Sequence, residues 1–483
     1  MKKRIACGNC KAELSDLQRS ITCPQCSANE AEFTVSIDDN EILEIKSAEQ
    51  GIWKFEDFLP NFDKRISLGE GDTPLRRAQN LFSKDIQLLL KVEGKNPTGS
   101  FLDRVSPLMV SDALSRNMES IVCASDGNLG ASISAYCATA DLKSICVVPK
   151  STSPEKKVQM SAHGAEIIDY GETIDDSLEL TKKMANMKTY QATPEYNLLT
   201  IEGSKTVAHE IVYQLLFQKS NLPWIEYIVV PIGSGRLLYS LWKGFKEAKK
   251  FGLIKNQKLP KIIGVQLKGH DSITNAIKSG DTEPKEIKRG VRVDQSLGDA
   301  ILTRYSLFGT KAIQSIRESN GTSVSISEKE MIDASKKLGK AEGVFAELSS
   351  ATVIAALEKL TSEQFFTKDT VVLALITASG LKTSRAFQKS TSRIKKVESF
   401  RSMGTKVEIL TIIDTEESNF GYGIWKALGQ SLSLQAVYQH LKELSAGKHI
   451  EEIESNERQK KYRLTEKGKK LIQKMKELEE LLP

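Results

Sequence analysis

Between about residue 50 and residue 390, short aliphatic runs alternate with segments whose apolar residues recur every three or four positions. Residues 121–124, 144–148, 227–230, 262–265 and 371–376 are continuous apolar runs short enough for strands buried on both faces. The intervening segments have the period of amphipathic helices. Alternation of this kind predicts a parallel sheet covered by helices on both faces, an α/β class. Before residue 40 the chain is polar and turn-rich, and it cannot build a core alone. Around residues 382–406 it turns polar again, which predicts a linker at 391–405 and a last domain at 406–483.

Two of the expected strands run directly into small-residue loops. Ser125-Asp126-Gly127-Asn128-Leu129-Gly130 follows the first run, and Pro231-Ile232-Gly233-Ser234-Gly235 follows the third. Each precedes a helical segment. Small residues let backbone approach a ligand, and the amides of a helix N-terminus favour an anion. Two such loops at strand C-terminal ends predict one shared cleft.

Composition adds limits. Hydrophobic residues make up 40% and charged residues 27% of 483, with a formal net charge of +6. That is an ordinary balance for a globular chain and does not by itself imply nucleic-acid binding. No apolar run approaches bilayer length, and the N-terminal Met1-Lys2-Lys3-Arg4 lacks an apolar h-region. A cytoplasmic location with no membrane association is the expectation.

Four of the seven cysteines fall in the first 26 residues, as Cys7, Cys10, Cys23 and Cys26. Two C-x2-C pairs of this kind predict a tetrahedral, structural Zn²⁺ site in a small ribbon at 1–40. Four thiolates leave no open coordination position. Cys123, Cys137 and Cys146 read as small buried hydrophobes. His163, His209 and His270 fit no metal or triad pattern and read as structural or surface residues.

The central region carries a family resemblance. Gly69-Glu70-Gly71-Asp72-Thr73-Pro74-Leu75 resembles the entry motif of threonine synthases. The run from Lys91-Val92-Glu93-Gly94-Lys95-Asn96-Pro97-Thr98-Gly99 through Ser100-Phe101-Leu102-Asp103-Arg104 is similar to their cofactor segment. Glu202-Gly203-Ser204-Lys205-Thr206, Glu342-Gly343-Val344-Phe345 and Ser379-Gly380-Leu381-Lys382 resemble further landmarks, in family order. The resemblance implies the pyridoxal-phosphate fold type II, with two doubly wound subdomains at 50–390 and a mobile small subdomain at about 106–200. It also implies a homodimer. In that family a lysine stands between Ser-Phe and Asp-Arg, forms the Schiff base with pyridoxal phosphate and shuttles protons. Leu102 stands there instead and can do neither. Lys91, Lys95 and Lys205 are out of register for the task.

The resemblance further implies cofactor contacts from Asn128, Gly233, Ser234, Gly235, Arg236 and Thr377. Asn128 and Thr377 match positions that contact the pyridine ring's hydroxyl and nitrogen. Arg236 interrupts a phosphate loop that is richer in glycine in the family; it either pairs with a phosphate or fills the pocket. Glu347-Leu348 and Thr377-Ala378-Ser379-Gly380 depart from the family's Glu-Pro and Thr-Gly-His-Gly. Pyridoxal phosphate, if bound, is expected to be noncovalent.

The last domain predicts helices at 407–413, 421–429 and 434–444, strands at 448–454 and 460–464, and a helix from 465. That order is a winged helix-turn-helix. Val437-Tyr438 and Tyr462-Arg463-Leu464-Thr465-Glu466-Lys467-Gly468 resemble the PadR-like transcription regulators. Candidate DNA contacts are Gln435, Tyr438, Gln439 and Lys442 on the recognition helix, and Arg458, Lys460, Lys461 and Arg463 on the wing. Residues 395–483 hold 16 Lys+Arg against 14 Asp+Glu, but residues 458–470 hold seven basic against one acidic. Glu451, Glu452 and Glu454 weigh against DNA.

Together these features predict a DNA-binding regulator of amino-acid metabolism that senses an amino acid or phosphorylated amino acid. The alternatives are a working threonine-synthase-like enzyme with a regulatory tail, and a noncatalytic interaction scaffold.

Overall fold

The computed structural model describes residues 2–15, 20–28, 31–36, 45–218, 220–287, 299–303, 305–384, 400–415, 419–429, 432–453 and 460–479. The chain forms two compact units, Met1–Gln388 and Lys389–Pro483.

The first unit begins with strands β1 (Lys2–Cys7), β2 (Glu13–Leu14) and β3 (Ala31–Ser36), paired antiparallel in the order β2-β1-β3. Next come β4 (Leu75–Arg77), β5 (Gln87–Val92), β6 (Ser120–Ala124), β7 (Lys143–Val148), β8 (Glu166–Asp169) and β9 (Thr189–Gln191). The remaining strands are β10 (Tyr227–Pro231), β11 (Lys261–Leu267), β12 (Thr322–Ile326) and β13 (Val371–Ile376). They make a four-stranded parallel sheet, β8-β7-β6-β9, and a six-stranded sheet, β12-β11-β10-β13-β5-β4. Only β4 runs antiparallel to its neighbour in the larger sheet. All five expected apolar runs are strands. β4, β5, β8, β9 and β12 are additional, and β5 leads into the cofactor-like segment.

The small N-terminal sheet is not self-sufficient. Ile5, Cys7, Leu14, Ile21 and Cys23 share one buried cluster with Ile52, Phe55 and Phe58. Glu32 further ties it down, accepting from the Tyr239 hydroxyl and pairing with Lys311 at 3.2 Å.

At the centre lies an ionic cluster with no exposed side chain. Arg104 donates through Nε and Nη2 to Glu93 (2.7 and 2.9 Å), and through Nη1 and Nη2 to Glu210 (3.0 and 2.9 Å). Lys91 completes it through Glu210, the Thr73 carbonyl and Gln214. Burial opposes ionisation of both glutamates. The Arg104 charge outweighs that at Glu93, and Arg104 and Lys91 together outweigh it at Glu210. Both carboxyls are therefore held below their ordinary range.

The second unit contains helices Phe400–Asp414, Gly421–Ala427 and Leu434–Ala446, an antiparallel hairpin of β14 (Ile450–Ile453) and β15 (Lys461–Leu464), and helix Glu466–Glu479. Its own core includes Ile409, Ile413, Ile424, Val437, Leu441 and Tyr462. The first helix starts at Phe400, inside the expected linker 391–405 and ahead of the expected start at 406; residues 391–399 lie outside the described ones.

Arg104→Met leaves the buried Glu93 carboxylate without a cation and Glu210 with Lys91 alone, and is expected to cost roughly 3–5 kcal/mol at pH 7 by urea unfolding. Because both carboxyls are depressed in the folded chain, their stabilising contribution is present above about pH 4.3 and is lost as pH falls through the folded values. The variant is expected to lose the share of that acid-side decline that comes from Glu93, while Lys91 keeps part of the share from Glu210. A pH-stability curve matching the native one would contradict this.

Candidate functional site

The cofactor-like segment folds around its own flanks. Asp103 accepts from the Thr98 amide (2.7 Å), the Thr98 hydroxyl (2.6 Å) and the Ser132 hydroxyl (2.6 Å). Burial pushes its carboxyl up, and these hydrogen bonds pull the other way. Asn96 bonds Glu93, and Arg104 is held as above. These residues are committed to holding the short 3-10 turn Phe101–Arg104. Leu102, 6% exposed, lines the adjoining cleft.

That cleft, of about 120 Å³, lies beyond the C-terminal ends of β6, β10 and β13. Leu102 shares its walls with all six expected cofactor residues: Asn128, Gly233, Ser234, Gly235, Arg236 and Thr377. After β6, the Ser125 hydroxyl accepts from the Gly127 and Gly130 amides, each at 2.9 Å. Gly127 has φ +125°, and a Cβ there would come within 2.2 Å of the Lys156 side chain. Only glycine fits. Lys156 thereby reaches Glu347, its Nζ 3.0 Å from Oε1, with both side chains buried. Asn128 Nδ2 donates to Glu347 Oε2 at 2.9 Å, while Asn128 Oδ1 is buried without a protein partner.

After β10, Gly235 takes φ +91° and caps helix Arg236–Lys250. The turn carries backbone amides and the positive end of the helix dipole, the usual elements of an anion site. Arg236 does not simply fill the pocket. Its Nη1 donates to Glu195 Oε1 at 2.8 Å, and its Nε is buried and unpartnered. After β13, the hydroxyls of Thr377 and Ser350 lie 2.6 Å apart.

These groups fit a phosphate monoester held noncovalently. No amine stands at position 102 to take an aldehyde covalently there, and the buried amine of Lys156 is paired with Glu347. Lys91 is buried against Glu210 and Gln214. Lys205 is buried between Glu202 and Glu247, and Lys95 is exposed. None of the three lines the cleft. Sequence reasoning missed Lys156 and Glu195. Lys156 sits in the charged run Pro154-Glu155-Lys156-Lys157, which reads as a solvated helix face.

The histidines differ in placement. His209 is fully buried 3.3 Å from Glu247, His270 is buried, and His163 is partly exposed.

At the N-terminus, the sulfurs of Cys7, Cys10, Cys23 and Cys26 all lie within 4.8 Å of one another. The two knuckles repeat one geometry. The Lys11 amide donates to the Cys7 carbonyl (3.0 Å), and the Ser27 amide donates to the Cys23 carbonyl (2.9 Å). Lys11 and Ser27, both with positive φ, make these turns. Hydrogen bonds, first from the Ala28 amide and then from Asn9, bring the Cys26 thiol down to about 6.

In the second unit, Gln435, Tyr438, Gln439 and Lys442 are exposed on one face of helix Leu434–Ala446, opposite buried Val437, Leu441 and Leu444. The Ser433 hydroxyl caps that helix, accepting from the Ala436 amide at 3.2 Å. On the hairpin, Lys460 pairs with Glu452 (2.9 Å) and Arg463 with Glu451 (2.5 Å), while Lys461 is partly buried. Exposed pairs of this kind are weak and salt-screened. Arg458 and Glu454 lie outside the described residues.

Residues 66–378 match the family model described as "Pyridoxal-phosphate dependent enzyme". A threonine synthase of Methanocaldococcus jannaschii is 33% identical over 360 residues, covering 73% of this chain and 86% of that protein. One of Methanosarcina acetivorans is 31% identical over 388 residues, covering 78% and 92%. A fungal L-serine ammonia-lyase from Rhizomucor miehei superposes with a TM-score of 0.56 at 20% identity, covering 67% of this chain and 98% of that one; it shares the fold. The chain belongs to the pyridoxal-phosphate dependent enzyme family and has threonine synthases among its relatives.

Proposed function

We propose that this protein is a ligand-sensing, DNA-binding regulator of amino-acid metabolism, built on a threonine-synthase-like cleft that has lost covalent catalysis. The observation that carries this reading is Leu102, a hydrocarbon side chain in the wall of a cleft that otherwise keeps its anion-binding turn and polar contacts. Pyridoxal phosphate, when bound in such a fold, supplies the electron sink for chemistry at an amino acid's carbons. Of the residues here, the turn at Gly233, Ser234 and Gly235 would hold a phosphate. Asn128, Thr377 and Glu347 would orient the rest of the ligand. Leu102 can neither accept nor return a proton, and general acid–base catalysis alone contributes roughly 10²–10⁴-fold.

The ligand is an amino acid, a phosphorylated amino acid, or pyridoxal phosphate held noncovalently. The C-terminal unit acts as a winged helix-turn-helix, reading bases with Gln435, Tyr438 and Gln439 and phosphates with Lys442. In a homodimer, two such helices address two half-sites. A ligand switches DNA binding only by favouring one state of the dimer over another. The four N-terminal thiolates would hold a structural Zn²⁺.

One observation favours the competing enzyme reading: a buried amine, that of Lys156, lies 3.0 Å from Glu347, which lines the cleft and also holds Asn128. Its ion pair with Glu347 counts against its serving as a nucleophile.

Three outcomes follow. Selection from a random duplex library is expected to yield a specific sequence whose affinity changes with ligand. Gln439→Ala should relax discrimination at one base by roughly 1–3 kcal/mol, and Lys442→Ala should lower the salt slope by about one. The absence of any sequence-specific, ligand-sensitive complex would sink the regulator reading. Metal analysis is expected to find about one zinc per chain, lost in Cys23→Ser. Finally, Leu102→Lys is expected to gain the absorbance of lysine-bound pyridoxal phosphate that the native chain lacks; threonine formation by the native chain would establish the enzyme reading instead.

A further inference from the structure

The segment by which the chain leaves its first unit continues a wall of the cleft. Thr377 and Ala378 line the cleft, and residues 379–384 follow directly. The Ser379 amide donates to the Gly99 carbonyl and the Gly380 amide to the Phe345 carbonyl, each at 2.9 Å. Those contacts belong to the side of the six-stranded sheet. Helix Pro154–Ala162 follows β7 of the other sheet, yet it grips the same segment. The Lys382 amine donates to Gln159 Oε1 (2.7 Å), the Ser153 hydroxyl to the Lys382 carbonyl (3.2 Å) and the Ser384 hydroxyl to Glu155 (3.1 Å). Gln159 Nε2 also donates to the Thr98 carbonyl at 3.1 Å. Neither Ser153 nor Gln159 lines the cleft.

The same helix reaches the cleft through Lys156, which pairs with Glu347 and fills the space left by Gly127, the residue before Asn128. One boundary between the two sheets therefore runs through both places. A ligand that meets Asn128 on one side and the turn at Gly233–Gly235 on the other binds best with the two sides together. The clamp on residues 379–384 needs that same arrangement. Contacts made in one state of a molecule strengthen each other, and the effect is reciprocal. We propose that helix Pro154–Ala162 is the coupling element of this protein: a ligand that closes the cleft tightens the helix's hold on residues 379–384, from which the chain departs for the second unit. This rests on the noncovalent-ligand reading above and assigns the residues that carry its response.

The test combines amide hydrogen exchange and calorimetry on the full-length protein with pyridoxine phosphate, which has the ring and the phosphate but no aldehyde to react with surface lysines. Bound ligand is expected to slow exchange at residues 379–384 by about fivefold or more. Gln159→Leu is expected to weaken ligand binding by about fivefold, although residue 159 lies outside the cleft, and to abolish the ligand's protection of the segment. Ser153→Ala removes a single hydroxyl, so it spares the fold; it should shift both readings in the same direction, by about twofold. Exchange at 379–384 that bound ligand leaves unchanged, or equal affinity in the native chain and both variants, would overturn the coupling while leaving a ligand-binding cleft. Failure of the native chain to bind pyridoxine phosphate would remove the noncovalent-ligand reading itself.

Discussion

The Arg104 guanidinium, gripped by Glu93 and Glu210 with no solvent exposure, is the contact on which the site depends. It joins the segment after β5 to helix Leu199–Leu216, and so fixes the 3-10 turn that aims position 102 into the cleft. An isolated charge could not stay there; two carboxylates and Thr73 make it tolerable. The same grip explains why a segment lacking its lysine still resembles its relatives. Asn96, Thr98, Asp103 and Arg104 hold one another and the fold through contacts that do not involve the side chain at residue 102. Resemblance in the flanks reports architecture, and position 102 reports chemistry.

Much of the fold was legible because burial on both faces leaves continuous apolar runs. Val371–Ile376 and Tyr227–Pro231 declare themselves in that way. Thr322–Ile326 alternates serine with aliphatics, and Gln87–Val92 carries the buried Lys91, so neither stands out. Lys156 was illegible for a related reason. Its burial is created by the missing side chain of Gly127, distant in sequence, and its own neighbours are charged. The knuckles at the cysteines likewise turn on Lys11 and Ser27 rather than on glycine, a choice no spacing rule dictates.

The cleft residues were readable as a set, through two small-residue loops at strand ends, yet their polarity was not. Only the contact between Asn128 and Glu347 shows which half of the amide is spent. Arg236 seemed able to occupy the pocket or to meet a phosphate; its pairing with Glu195 leaves Nε for a ligand. Donors stand in one wall of the cleft, an unfilled acceptor in another and a hydrocarbon at position 102.

The central claim is that no lysine of this chain replaces the one absent at position 102. The most direct measurement is peptide mapping after the native protein is saturated with pyridoxal phosphate and reduced with borohydride. The account predicts no stoichiometric label at any one lysine, with Lys156 unmodified and Lys382, buried with its amine donating to Gln159 at 2.7 Å, unmodified as well. A single lysine carrying about one label per chain, Lys156 above all, would contradict it.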